Sequence, residues 1–288
     1  MTSAIEITGL SHYYNKGTPN EVAAIKNANL RIEKGELVAI IGHTGSGKST
    51  LISHFNGLLK PDEGKVFVDG KDIWQSKESL RESRFKVGLC FQYPEYQLFE
   101  DTVFKDIAFG PKNMKLDDEE VKRRVLRAAQ LAGVKPEHLD KSPFDLSGGE
   151  KRRAAIAGVM SMQPQVLVFD EPAAGLDPHA RKQLIDMIKS YREQTGCTVI
   201  FVSHSMEDVA YLADRIIVIN QAEIAMQGSV SEVFSRGDEL TSMGLNVPEI
   251  TRIFLMLREK GYDVPKDVYT VGQAVPHIKR LMEGGRAI

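Results

Sequence analysis

Leu37-Val38-Ala39-Ile40-Ile41-Gly42-His43-Thr44-Gly45-Ser46-Gly47-Lys48-Ser49-Thr50 is the stretch whose reading decides the fold. Its first five residues are apolar without alternation, as in a strand buried on both faces of a parallel sheet. Gly42 to Ser49 then fits G-x-x-x-x-G-K-[ST], set between a strand and a helix as that pattern requires. Glycines let successive backbone N–H groups curl around phosphate oxygens, and the helix N-terminus adds positive potential. Gly42, His43, Thr44, Gly45, Ser46, Gly47, Lys48, Ser49 and Thr50 are therefore the expected nucleotide cradle. Lys48 should reach the β- and γ-phosphates, and Ser49 should offer its hydroxyl to Mg²⁺.

Outward from this loop, short Val/Ile-rich runs alternate with helical patterns, which predicts a largely parallel α/β sheet. Strands are expected over 5–8, 28–32, 37–41, 66–68, 87–91, 166–169, 199–202 and 216–219. The first helix should run from Lys48 to about Asn56, with Gly57 at its C-terminal stop. The middle, about 93–161, reads as helical: Val121, Val125, Ala128 and Ala132 recur at helix spacing. It is expected as a helical subdomain inserted in a core spanning 1–228. Residues 229–288 form a third region. There Pro248 precedes a helix with Ile250, Ile253, Phe254 and Leu257 on one face, which must pack on its own core or on a partner.

Two carboxylates end the apolar run Val166-Leu167-Val168-Phe169. Ligands of open α/β sheets sit at the carboxyl ends of strands. Asp170 is placed to hold Mg²⁺, and Glu171 to polarise an attacking water as general base. Gln92 follows the strand at 87–91, where a neutral amide can touch both Mg²⁺ and the water. His204 follows the strand at 199–202 and can donate to a γ-phosphate. Alone, each has a plainer reading. An Asp-Glu pair can be a solvated turn, and His204 can simply neighbour the helix start at Ser205. Leu146-Ser147-Gly148-Gly149-Glu150 looks like another helix start able to grip a phosphate.

Composition narrows the classes. The 37 basic and 39 acidic residues give a net charge of -2, so no bulk basic excess argues for nucleic acid. The runs Lys122-Arg123-Arg124 and Lys151-Arg152-Arg153 read as solvated helix faces. Cys90 and Cys197 sit inside apolar runs, as buried reduced thiols do. Met1-Thr2-Ser3 leads straight into a strand pattern, which predicts no secretory leader. No apolar run approaches the ~18 residues of a membrane span. Any membrane role is expected to come through a partner.

Together the P-loop, Gln92, LSGGE, Asp170-Glu171, the turn Gly175-Leu176-Asp177 and His204 resemble the ATP-binding cassette (ABC) ATPases, in the family's order, from about Ile5 to Gly228. The resemblance implies a P-loop NTPase cassette with a RecA-like core, a helical subdomain and here a small C-terminal helical extension. It implies that Ser147, Gly148 and Gly149 contact ATP held by a second cassette, that Asp177 couples the two sites, and that an upstream aromatic stacks on adenine. Tyr14 is the best match for that aromatic, with Tyr13 adjacent. Residues 91–99, 102–103 and 106–111 are similar to the ATPases of energy-coupling factor (ECF) transporters, importers of vitamins or metal ions. Gly42-His43-Thr44-Gly45 favours the second of that system's two paralogues. The implied partners are a paralogous cassette, a transmembrane scaffold received in a groove lined by 96–109, and a membrane substrate-binding subunit reached through the scaffold. The implied place is the cytoplasmic face of the cell membrane. The extension over 229–288 is implied to hold the dimer together. Two positions depart from the family: Glu150 stands where Gln is common, and Ala173 where Thr is usual. A non-transport ABC ATPase acting on DNA or ribosomes is the rival reading. It would carry long coiled-coil insertions or two cassettes in one chain, and this chain has neither.

Overall fold

Where one largely parallel sheet was expected, the strands divide between two. The computed structural model describes residues 3–283. Met1-Thr2 and the last residues of the region 229–288 lie outside that range. The elements run β1 (Ile5–Tyr14), β2 (Val22–Ile32), β3 (Leu37–Ile41), α1 (Lys48–Phe55), β4 (Glu63–Val68), β5 (Lys71–Asp72), α2 (Lys77–Lys86) and β6 (Val87–Cys90). Then come α3 (Val103–Asn113), α4 (Asp118–Ala132), α5 (Gly148–Met160), β7 (Val166–Asp170), α6 (Pro178–Thr195), β8 (Thr198–Val202) and α7 (Met206–Leu212). The chain closes with β9 (Arg215–Asn220), β10 (Glu223–Ser229), α8 (Val230–Phe234), α9 (Gly237–Ser242), α10 (Glu249–Glu259) and α11 (Val271–Met282).

The larger sheet has the order β10-β9-β3-β8-β7-β6. It is parallel except for β10, which pairs antiparallel with β9. The smaller sheet, β2-β1-β4-β5, is antiparallel throughout. Its strands alternate buried and exposed residues, the signature of one wet face, whereas β3, β7 and β8 are buried at every position. That difference separates the two sheets physically, and the expected strands at 5–8, 28–32 and 66–68 fall in the antiparallel one.

The period-two alternation of each central strand feeds two cores. Val166, Val168, Ile200 and Val202 face α1 and the small sheet, packing with Leu51, Phe55, Ile5 and Ile32. Leu167, Phe169, Val199 and Phe201 face the helical insertion and α6, packing with Val125, Ile156, Ala157 and Ile188. Phe55, Phe169 and Phe201 are fully buried, each contributing roughly 1.5–3 kcal/mol. The helical insertion lies on this second face, over the strand ends that carry the candidate chemistry.

Cys90 and Cys197 are buried and unpaired, as expected. Burial pushes the Cys197 thiol up to about 12. No described helix is long and apolar enough to cross a membrane. In the tail, Phe254 packs into a small core with Val264, Val268 and Ala274, flanked by Ile250 and Leu257. Ile253 and Met256, on the same helix, remain exposed. Tyr269 ties this unit to α8 through Phe234, at 5.8 Å between ring centroids.

Candidate functional site

The P-loop joins β3 to α1, and its glycines are sterically obligatory at two positions. A Cβ on Gly42 would lie 2.3 Å from the Ile219 carbonyl oxygen, and one on Gly47 would lie 2.2 Å from that of Ala24. Gly47 also has φ +110, a backbone that side chains rarely adopt. Thr44, Gly45 and Ser49 are exposed, while the Ser46 hydroxyl is buried with no partner. Lys48 is buried and folds back onto the loop, donating to the carbonyls of Gly42 at 2.8 Å and His43 at 3.0 Å. Burial lowers its pKa, and Glu171 and Asp170 pull the other way.

Asp170 ends β7, which is flanked by β6 and β8, and Glu171 directly follows it. Burial raises the pKa of Asp170, opposed by a hydrogen bond from Ser49, and Asp170 Oδ1 has no partner at all. An orphaned buried carboxylate oxygen beside a hydroxyl suits a divalent cation. Among the described residues no three acidic, His or Cys side chains gather to hold a metal by themselves. Such a set suits Mg²⁺, which keeps waters and phosphate oxygens as its other ligands. Glu171 has φ +47, and its carboxylate is held between two strand-end neighbours. Gln92 Nε2 donates to Glu171 Oε2 at 3.3 Å, and His204 Nε2 lies 2.7 Å from Glu171 Oε1. His204 also neighbours a true helix start, since Ser205 Oγ accepts from Asp208 N at 3.2 Å. Both readings of that position hold together.

Tyr14 ends β1 and is exposed; its hydroxyl shares a hydrogen bond with Thr50 Oγ1 at 3.2 Å, beside the P-loop helix. Tyr13 is engaged elsewhere, with Lys16 Nζ 5.2 Å from its ring centroid. Two histidines that sequence reasoning missed lie beneath Tyr14. His12 meets Tyr14 edge-on and His54 meets His12 likewise, each at 4.9 Å between centroids. His54 Nδ1 donates to the Thr50 carbonyl at 2.8 Å, and its buried Nε2 has no partner. Burial drives the His54 pKa down to about 4.

Ser147, Gly148 and Gly149 open α5 and are exposed. Nothing lies within 4 Å of a Cβ placed on either glycine. Glu150 closes a capping box: its Oε2 accepts from Ser147 N at 3.0 Å and Ser147 Oγ at 2.7 Å. Those bonds lower its pKa and give the side chain a capping role that Gln could also fill. Asp177 caps α6, accepting from His179 N at 2.9 Å and Ala180 N at 3.0 Å. The run Lys151-Arg152-Arg153 is not the uniformly solvated face expected. Arg152 is buried, because a carboxylate and two carbonyls satisfy its charge. Position on a charged helix stretch gave no sign of this, since the partners come from distant loops. After Gln92, a groove of about 370 Å³ is lined by Phe85, Leu98, Phe99, Phe109 and Met162. Phe99 and Phe109 meet edge-on at 5.1 Å on its rim, and Tyr96 beside it is 84% exposed.

The family model described as ABC transporter matches residues 25–174, just over half of the chain. The chain belongs to the ABC transporter ATP-binding family. It is 50% identical over 284 residues to the energy-coupling factor transporter ATP-binding protein EcfA2 of Caldanaerobacter subterraneus subsp. tengcongensis, covering 99% of each chain. It is 51% identical over 272 residues to EcfA2 of Clostridium perfringens, covering 94% of this chain and 95% of that one. Among solved structures it is similar to cbiO1 from Clostridium perfringens, part of the ABC transporter complex cbiONQ. That match has TM-score 0.76 and 34% identity, and covers 98% of this chain and all of that one. The dimeric ABC transporter cassette MJ0796 gives TM-score 0.70 at 30% identity, covering 78% of this chain and 98% of that one. The ABC family thus accounts for the cassette, and cbiO1 accounts also for the part that the shorter cassette leaves unmatched. The chain is an ABC ATPase of the energy-coupling factor type, one whose ATP hydrolysis is coupled to transport.

Proposed function

We propose that the chain is one half of a heterodimer of cassettes, its partner a paralogue, that powers uptake of vitamins or other micronutrients. Gly42 to Thr50 cradle the phosphates, with Lys48 on the β- and γ-phosphates, and Tyr14 stacks on adenine. Ser49, Gln92 and Asp170 hold Mg²⁺, which when bound neutralises phosphate charge. Glu171 is the general base, oriented by His204 and Gln92 at one sheet edge. Ser147, Gly148 and Gly149 grip the ATP held by the partner's P-loop, and Asp177 couples the two sites. Hydrolysis then releases a clamp that ATP had closed. Residues 1–228 form the cassette, with its helical subdomain about 93–161 inserted, and 229–288 the dimer-contact extension. The exposed apolar residues Ile253 and Met256 support that last role.

The observation that carries this reading is that the chain has two glycine-bearing helix starts in different surroundings. One is backed by Glu171 and His204. The other, at Gly148 and Gly149, faces open space. The apolar groove after Gln92 supports docking of a transmembrane scaffold, and through it a membrane substrate-binding subunit, at the cytoplasmic face. No nucleic acid is involved. The test is to extract the chain from membranes in mild detergent and identify its companions while measuring phosphate release from MgATP. A second cassette and a multi-helix membrane protein are expected; a ribosome or DNA complex would overturn the proposal.

A further inference from the structure

A single guanidinium joins the two turns that carry Gln92 and Glu171. Arg152 lies in the second turn of α5 and is 5% exposed. Its Nε and Nη2 donate to the two carboxylate oxygens of Glu95 at 3.0 and 2.7 Å. Its Nη1 donates to the carbonyls of Pro172 at 3.0 Å and Ala174 at 2.9 Å. The guanidinium also lies over the Tyr93 ring, 5.7 Å from its centroid. Tyr93 directly follows Gln92 with Glu95 two residues further on, and Pro172 directly follows Glu171.

Both turns are strained where it matters. Tyr93 has φ +55 and Glu171 φ +47, neither a conformation such residues prefer. Each persists only where its surroundings over-determine it. Arg152 supplies that determination to both at once, and a bidentate Arg–carboxylate pair fixes geometry as well as energy. Burial pushes the Glu95 carboxyl up, but the Arg152 hydrogen bonds, a bond from its own backbone N–H and the Arg152 charge together bring it below its ordinary value. The N-terminus of the same helix, Ser147 to Gly149, lies about 4.5–7.5 Å away along a rigid rod.

We propose that Arg152 is a positioning residue that clamps the Gln92 turn to the Glu171 turn. It thereby passes a shift at the N-terminus of α5 to this chain's own hydrolytic edge. Engagement of Ser147 to Gly149 by the partner's ATP would then be sensed at Glu171 through one side chain. This rests on the roles given to Gln92, Glu171 and the α5 N-terminus above. Lysine cannot reproduce the fork, and glutamine at position 95 removes the charge with little change of size.

The test uses Arg152→Lys and Glu95→Gln in the full-length chain with its companion cassette. Turnover of MgATP should fall about 10- to 100-fold, as misplacement by about 1 Å can cost, while KM for ATP changes less than about threefold. The double variant should be no worse than the poorer single one. Spin labels at Tyr96→Cys and His179→Cys, both exposed while the native thiols are buried, report the spacing between the Gln92 turn and the start of α6, to which the Glu171 turn leads. The distance distribution should broaden in Glu95→Gln. Wild-type turnover together with an unchanged distribution would overturn the proposal. If Arg152→Lys does not fold, Glu95→Gln carries the test. If the wild-type chain shows no hydrolysis, the functional reading fails, and the label distances still decide the clamp.

Discussion

Replacing His54 by glutamine should abolish one component of acid sensitivity, and its size follows from the site. His54 is fully buried in the last turn of the P-loop helix α1, and its pKa falls from the ordinary 6.5 to about 4. The difference of about 2.5 units caps the effect at about 3 kcal/mol. The unfolded chain binds the proton more readily than the folded one. Stability is therefore complete above about pH 6.5 and is lost as the pH falls toward 4. Between pH 7 and pH 5 the loss should be about 2 kcal/mol. Asp106, Asp170 and Asp208 have carboxyls raised chiefly by burial, so they act with the opposite sign in the same region. The total slope thus mixes contributions, and the comparison with His54→Gln isolates one. Glutamine keeps a donor for the Thr50 carbonyl and has no proton to gain. Urea unfolding at the two pH values, on both proteins, is the assay. The wild type should lose about 2 kcal/mol more than the variant. Equal losses, within about 0.5 kcal/mol, would refute the assignment of a neutral buried imidazole.

Other outcomes test the site directly. Lys48→Ala should abolish phosphate release and weaken ATP binding, because it removes the ammonium held on the Gly42 and His43 carbonyls of the loop; full activity would remove the P-loop assignment. Glu171→Gln retains the shape and can still meet His204 and Gln92, so it should bind ATP and stay dimeric while turnover drops about 10²- to 10⁴-fold. Wild-type turnover in that variant would mean the base lies elsewhere. Ser147→Arg fills the open space before Gly148. In dimers with one altered subunit it should cripple only the site whose P-loop the other subunit supplies, and equal loss at both sites would count against the shared-site reading.

Much of the site was legible because its chemistry is local. Gly42 to Ser49 is contiguous, and the Asp170-Glu171 pair closes a run that can only be a buried strand. Gln92 and His204 were found by the same logic, since strand ends in a parallel sheet converge on one edge. The capping role of Glu150 was encoded in the spacing from Ser147, a signal that was present and not used. The second sheet was hidden because short strands such as 66–68 show too few residues for alternation to separate from a continuous apolar run. The strand at 223–229 was missed because its polar residues suit an edge.

By itself, then, the sequence determined the nucleotide pocket, the order of the motifs and the family. Each motif is made of residues within a few positions of one another, where backbone geometry dictates the outcome, and their order is read directly along the chain. Only the tertiary structure decided that Arg152 is buried and that His12 meets both Tyr14 and His54 edge-on. It also decided that Gln92 and His204 both bond to Glu171. Those contacts join residues up to 79 positions apart, and long-range pairing is set by how the two cores close around the sheet rather than by any local pattern.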